Sequence, residues 1–245
     1  MSVLAVIPIH SGSKRFPGKF MSDLYSQEAS GKPLVWWPWM AIRNCVNIDF
    51  AIVASDANRE LEQTLITHGI KYVPLDEEFN CGFERVAYIA SYLKPFDIIL
   101  DIQGDEPLLT PEILSGFIKF MKEDDIDIGT IIAPLLEHDL GDINCVKAKV
   151  VDGEAIDFGR MVLKDCPPDF FAHIGVYGFK GKVLRELAKL ERSEKEIERD
   201  LEQTRWLDNG YKIKVFEIIE SLPSVNVLED IDRVNERLRE RCLMY

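Results

Sequence analysis

Basic residues are in short supply in this sequence: 29 Lys and Arg stand against 42 Asp and Glu, a formal net charge of −13 over 245 residues. A general nucleic-acid binder or a protein that coats anionic membranes needs a broad basic surface. This balance argues against both, and any phosphate ligand has to be met by a local cluster of cations. Cysteine is scarce too. Cys45, Cys81, Cys145, Cys166 and Cys242 are odd in number and scattered, with no CxxC pair and no histidine at metal spacing, so they read as reduced, mostly buried thiols. No apolar run approaches the ~18–20 residues that a membrane-spanning helix needs. The opening MSVLAVIPIH has no basic segment ahead of its apolar run, which Pro8 breaks; it does not read as a signal peptide, and a cytoplasmic protein is expected. With 15 glycines and 12 prolines the chain is neither collagen-like nor of low complexity, and it shows no solenoid or propeller repeat.

What is present is 47% hydrophobic and 29% charged, a composition that supports a substantial core. Apolar, largely β-branched runs at Val3–Pro8, Phe50–Ala54, Ile70–Val73, Ile98–Ile102 and Ile128–Ala133 suit strands buried on both faces. Helical patterns lie between them at about 36–44, 57–68, 84–93 and 111–122. The last opens on Thr110–Pro111, an N-cap and first-turn pair, and repeats Ile113, Leu114, Phe117, Ile118 and Met121 at helical spacing. This βαβ series predicts an α/β protein with a mostly parallel sheet, helices on both faces, and a ligand at the carboxyl ends of the strands. After about residue 140 the pattern changes to strands at Cys145–Val151, His173–Phe179 and Lys212–Ile218 and helices at about 182–190, 194–208 and 228–241. No Pro/Gly-rich linker separates the two parts, so a single domain of two halves, about 1–140 and 141–245, is expected.

The segment HSGSKRFPGK carries Lys14, Arg15 and Lys19, with no acid before Asp23. Gly12 and Gly18 permit close backbone approach, and loop N–H groups can form an anion-binding nest. The loop is built to hold phosphates, although a solvated basic loop has the same composition, and it is neither a Walker A nor a GxGxxG motif. Asp105 follows an apolar strand, where a carboxylate emerges at the ligand edge; one or two carboxylates plus substrate phosphates are the usual Mg²⁺ set. A simple turn after a strand would also use Gly104–Asp105.

SKRFPGK, VASD at 53–56, GxER at 82–85 and QGDEPL at 103–108, in that order, resemble the motifs of the sugar-acid cytidylyltransferases, most closely the 3-deoxy-manno-octulosonate (Kdo) cytidylyltransferase family. NCVKAKV at 144–150, DFGR at 157–160, HIGVYGF at 173–179 and LEQTRWLDNG at 201–210 extend the resemblance from about residue 3 to residue 234. The resemblance implies a three-layer, Rossmann-like nucleotidyltransferase fold with a mostly parallel mixed sheet. It implies CTP and a 3-deoxy sugar acid as substrates, Mg²⁺ as cofactor, and a homodimer formed through the second half. It places Arg15, Lys19 and Asp105 in catalysis, with Lys19 on the departing pyrophosphate. Ile9 (by its backbone), His10, Gly12, Ser13, Lys14, Arg15, Lys19, Gly82, Arg85 and Gln103 would meet the nucleotide. Gln103, Arg160, His173, Tyr177, Glu202 and Gln203 would meet the sugar acid, and Asp105 and Asn226 the metal.

Against that pattern, His10 stands where the family has Arg, Cys81 and Phe83 stand where it has Ser and Thr, Phe79 stands where His is common, and Asn226 stands in the place of a second metal-binding Asp. These departures motivate a second reading, a catalytically degenerate relative that binds nucleotide or CMP-sugar and regulates. Asn226, with Glu229 three residues on and Ile231, Val234 and Leu238 as an apolar stripe, also reads as the N-cap of the last helix. Ser193 with Glu196 reads as a capping box for the 194–208 helix, with Ile197, Leu201 and Leu207 facing the core. WWPW at 36–39 reads as core before oligomer contact, and Tyr25–Ser30 as extra sequence.

Overall fold

The computed structural model describes residues 1–13, 15–24 and 31–243, with side chains through residue 240. Lys14, the Tyr25–Ser30 segment and the Cys242 side chain lie outside the described residues. The strands are β1 (Val3–Pro8), β2 (Asp23–Leu24), β3 (Lys32–Pro33), β4 (Phe50–Asp56), β5 (Tyr72–Leu75), β6 (Ile98–Ile102), β7 (Ile128–Ala133), β8 (Lys147–Val151), β9 (Glu154–Gly159), β10 (Phe170–Lys180) and β11 (Ile213–Glu217). The helices are α1 (Trp36–Asn44), α2 (Arg59–Thr67), α3 (Gly82–Tyr92), α4 (Pro111–Met121), α5 (Glu137–Gly141), α6 (Gly181–Leu187), α7 (Glu194–Arg199), α8 (Gln203–Asp208) and α9 (Asp230–Leu243).

Nine strands form one sheet in the order β5-β4-β1-β6-β10-β7-β11-β9-β8, while β2 and β3 pair separately. β5, β4, β1 and β6 run parallel; β10 enters antiparallel to both β6 and β7, and the pairings of β9 with β11 and β8 are antiparallel. The sheet is thus mixed, with its parallel character strongest in the first half. β1 shows why its run is wholly apolar. Val3, Ala5 and Ile7 point into one core, with α1, α2 and α4, whereas Leu4 and Val6 point into the other, with α3, α6 and Trp206. Each fully buried large apolar side chain of this kind contributes about 1.5–3 kcal/mol.

Local signals act where expected. Thr110 accepts the Ile113 N–H, Pro111 occupies the first turn, and Leu114, Phe117, Ile118 and Met121 are all buried. Three expectations are corrected. The 194–208 helix breaks at Asp200, which adopts left-handed φ 53°, giving α7 and α8. Ser193 caps α7 by accepting the Glu196 N–H, but the Glu196 carboxylate goes to arginines and not back to the cap, and Ile197 is 61% exposed. Asn226 is not a cap: α9 begins four residues later, and Asp230 Oδ2 accepts the N–H groups of Asn226 and Val227, while Val234 and Leu238 are buried as expected. Of the WWPW cluster Pro38 and Trp39 are buried, with Trp36 and Trp37 half-buried against the same core. Among the described residues no helix is long and apolar enough to cross a membrane.

Candidate active site

The carboxyl ends of β1, β4 and β6 converge on one edge of the sheet, and the loops that follow them build the site. Ser11 donates its N–H and hydroxyl to Asp56 at the end of β4, with Oγ–Oδ2 at 2.6 Å, and this pins the basic loop. After β6 the chain turns through Gln103–Glu106. A Cβ on Gly104 would lie 2.5 Å from Ile9 Cγ2 and 2.9 Å from Phe20, so only glycine lets this turn seat against the end of β1. Asp105 then emerges, and its Oδ2 accepts a hydrogen bond from Lys19 Nζ at 2.5 Å. Lys19 is 7% exposed.

β10 supplies the opposite wall through an irregularity. Its register against β7 shifts between Ile174 and Tyr177, so that His173 pairs with Ile132 but Tyr177 with Thr130. In a regular strand residues four apart lie about 13 Å apart. Here the rings of His173 and Tyr177 are 5.2 Å apart, because the intervening bulge takes up two residues. The bulge is locked to the Gln103 turn: Gln103 N donates to Gly175 O, and Gly175 N donates to Glu106 Oε1 at 2.8 Å, which Ser224 Oγ also reaches.

Between these walls lies a cavity of about 300 Å³ lined by His10, Arg15, Gly82, Gln103, Asp105, Arg160, His173, Tyr177, Glu202, Gln203 and Asn226. The structure therefore brings together residues expected on the nucleotide, the sugar acid and the metal. Ile9 is wholly buried behind the wall, and Gly12, Ser13, Lys19 and Arg85 do not line the cavity. Arg85 is half-buried beside Phe79, and its Nε has no partner among the described residues. Arg15 Nη1 donates to Asn144 Oδ1 at 2.8 Å, joining the basic loop to the second half. Arg160 Nη1 donates to the Arg199 and Asp200 carbonyls at the break between α7 and α8, leaving its buried Nε unpartnered among the described residues. Phe83 faces away from the cavity, packed on Phe179 and Trp206; what it offers the site is its N–H, which donates to Glu202 Oε2 at 2.9 Å.

Burial sets the charge states. Burial and then the nearby Arg85 hold His10 below its ordinary value, so it is neutral where an arginine would be charged. His173 is held down to about 3 by burial and by Arg160. Its tautomer follows from Thr130: that hydroxyl donates its only hydrogen to Val176 O at 2.8 Å, so its oxygen must accept from His173 Nε2 at 2.9 Å, and Nδ1 is left as the acceptor. Burial raises Glu106 to about 8, with Asp105 adding to the effect. Burial raises Asp101, with repulsion from Glu202 adding to it, and burial raises Glu202, with repulsion from Glu196 adding to it.

Asp56, Asp101 and Glu106 are site-building residues that the sequence reading missed. Asp101 Oδ1 accepts from Gln103 Nε2 at 2.9 Å and orients that amide. The signals were there, in VASD and in the first and last of the three acids of DIQGDEP, but nothing local distinguishes a buried acid from an edge acid.

Among the described residues no three His, Cys, Asp or Glu side chains group to hold a metal. Asp105 and Asn226 offer one carboxylate and one amide oxygen at a single cavity, and Val225 N donates to Asp105 O at 3.0 Å, which sets the two segments side by side. Hard oxygen donors in this small number fit Mg²⁺, which is held by few protein ligands and completed by phosphates.

Comparison with known proteins agrees with this geometry. The family model for cytidylyltransferases matches residues 4–213. A 3-deoxy-manno-octulosonate cytidylyltransferase of Chlorobium phaeobacteroides is 34% identical over 98% of both chains, and one of Arabidopsis thaliana is 32% identical over 98% of this chain and 84% of its own. The solved structure of a CMP:2-keto-3-deoxy-manno-octonic acid synthetase complexed with CTP superposes with a TM-score of 0.84 at 23% identity, covering 98% of this chain and 100% of that one. Its likeness bears on the fold, and the sequence relatives carry the assignment. The chain belongs to the cytidylyltransferases, a family of nucleotidyltransferase enzymes, and within them to the 3-deoxy-manno-octulosonate cytidylyltransferase family.

Proposed function

We propose that the protein transfers CMP from CTP to the anomeric hydroxyl of Kdo, or of a closely related 3-deoxy sugar acid such as its 8-amino analogue, and releases pyrophosphate, for lipopolysaccharide or capsule synthesis. The observation that carries this reading is the single cavity in which Arg15 of the basic loop and Asp105 face Arg160, His173, Tyr177 and Glu202. Arg15 and Lys19 meet the triphosphate, and Lys19 balances charge on the departing pyrophosphate, the main task in phosphoryl transfer. To reach a phosphate, Lys19 exchanges its bond to Asp105 for one to the ligand. The Gly12–Ser13 segment and the Ile9 backbone flank the triphosphate path, with Gly82 against the nucleotide and Arg85 behind it. Asp105 and Asn226 would hold Mg²⁺, which when bound would add to the neutralisation of the phosphates. Arg160 offers its guanidinium to the sugar-acid carboxylate; His173 Nδ1 accepts a sugar hydroxyl, and Tyr177, Glu202, Gln203 and Gln103 orient the rest.

In this reading the first half of the chain serves the nucleotide and the second the sugar, and the active form is a cytoplasmic homodimer. Neither nucleic acid nor membrane takes part. The test is pyrophosphate release by the purified protein with CTP, Mg²⁺ and a panel of sugar acids, Kdo and its 8-amino analogue included. Release with one acid names the substrate. The neutral His10 and the uncharged Asn226 favour one alternative, a degenerate relative that binds nucleotide or CMP-sugar and regulates; CTP binding with silence across the panel would establish it instead.

A further inference from the structure

Glu84 of GxER and Arg205 of LEQTR have no role in the transfer chemistry, yet the fold buries them together. Arg205, 2% exposed, donates from Nε to Glu196 Oε2 and from Nη2 to Glu196 Oε1, both at 2.6 Å. The same Nη2 reaches Glu84 Oε1 at 2.9 Å and lies 3.7 Å from Cys81 Sγ. Glu84 uses its other oxygen to accept from Asn80 N at 2.8 Å and Asn80 Nδ2 at 3.1 Å. Glu196, 1% exposed, also accepts from Arg192 Nε at 3.1 Å. Two guanidinium groups and two carboxylates thus join the start of α3 to α7 and α8. A buried cluster of this kind adds little net stability compared with apolar packing, so its directionality is the property to explain.

Its placement answers that question. Glu202 and Gln203 sit at the break between α7 and α8, between Glu196 and Arg205 in the chain, and Glu202 accepts the N–H of Phe83, a residue flanked by Gly82 and Glu84. The start of α3 and the α7–α8 turn are therefore fastened at two adjacent points, Phe83 to Glu202 and Glu84 to Arg205. We infer that Arg205 is a positioning residue: its guanidinium keeps the Gly82 loop, on the nucleotide side, in register with the Glu202–Gln203 turn, on the sugar side. The kinetic part of this inference rests on the proposed transfer reaction.

Two variants test it in the full-length protein. Arg205→Lys keeps the charge that Glu196 needs but loses the planar fork that reaches Glu84 as well. Glu84→Gln leaves the Arg205–Glu196 pair whole. The readouts are amide hydrogen exchange and steady-state kinetics with CTP and whichever sugar acid supports turnover. In both variants, with circular dichroism unchanged, exchange rises in 80–84 and also in 200–203. The sugar-acid and CTP KM values both rise and kcat falls, for a combined loss of about 10–100-fold, because small misplacements in a reacting complex cost about that much. The double variant is no worse than the poorer single one, as for two ends of one contact. Unchanged exchange at 200–203 in Glu84→Gln overturns the inference. So does a lowered Tm with kcat and both KM values at wild-type levels, since the network would then be scaffold alone. An inactive wild-type protein would instead refute the transfer reaction, and the exchange arm would still decide whether Arg205 couples the two segments.

Discussion

Protonation of His173 offers a sharp test of the electrostatics of the cavity. The ring is enclosed by Phe158 and Tyr177, gives its Nε2 hydrogen to Thr130, and is held down to about 3 from an ordinary value of 6.5. The unfolded chain takes up its proton near pH 6.5, whereas the folded protein resists until about pH 3. As the pH falls through that window the unfolded state binds more protons, and stability declines with decreasing pH. Linkage with these two values gives a loss of about 2 kcal/mol between pH 8 and pH 5, and about 3 kcal/mol by pH 4. One edge of the ring opens onto the cavity, so these are upper figures. In a chain of this size ~2 kcal/mol lowers Tm by roughly 4–8 °C. His173→Gln keeps an N–H donor for Thr130 and cannot titrate, so the assay compares urea unfolding of wild type and variant at pH 8, 6 and 5. The gap between them should shift by about 2 kcal/mol in favour of the variant on acidification. Stabilities that stay parallel within ~0.5 kcal/mol across that range would refute the enclosed, neutral imidazole.

Asp105→Ala should abolish measurable turnover, a loss of about 100-fold or more, while circular dichroism shows the fold intact; retained turnover would remove Asp105 from catalysis. Asn226→Asp should lower the Mg²⁺ concentration for half-maximal pyrophosphate release, because it sets a second carboxylate beside Asp105; the check is a metal titration at saturating substrates. Gly82→Ala places a methyl group 2.9 Å from Gln103 Nε2 and 3.1 Å from Pro8 Cγ. It should therefore displace the Gln103 amide and cut kcat/KM by about tenfold, with thermal stability changed by less than about 1 kcal/mol.

The parallel half of the fold was legible because each of its strands is an apolar run with turn residues at its ends, and α4 because Thr110, Pro111 and a periodic stripe agree. β9 was not legible. Its residues EAIDFG follow no clean alternation, with Ala155 and Ile156 adjacent, and only pairing with β8 and β11 makes them a strand. The break at Asp200 was hidden for a similar reason, since KEIERDLEQTRW reads as continuous helix. What ends α7 is tertiary: Arg160 takes the Arg199 and Asp200 carbonyls that the next helical turn would have used. Within the site, motif order picked out some of the residues that the cavity gathers but not Glu106, it also named Lys19 and Arg85, which do not line the cavity, and it pointed at Asn226 twice. The cap interpretation fell to Asp230, whose carboxylate reaches backward to the 226 and 227 N–H groups, a direction no local pattern specifies.

The two-residue bulge in β10 has a bearing on how this enzyme can change over evolutionary time. Side chains in a strand alternate sides, so an insertion of one residue would turn the rest of β10 inside out, but an insertion of two leaves every inward position inward. Both cores are therefore blind to the bulge, while the cavity is not, because it is the bulge that brings His173 beside Tyr177 and seats Gly175 on Glu106. Lineages that lengthen or shorten this segment in pairs can reshape this wall of the pocket without renegotiating the sheet, which makes β10 a place where the shape of the site can drift while the architecture stays inherited.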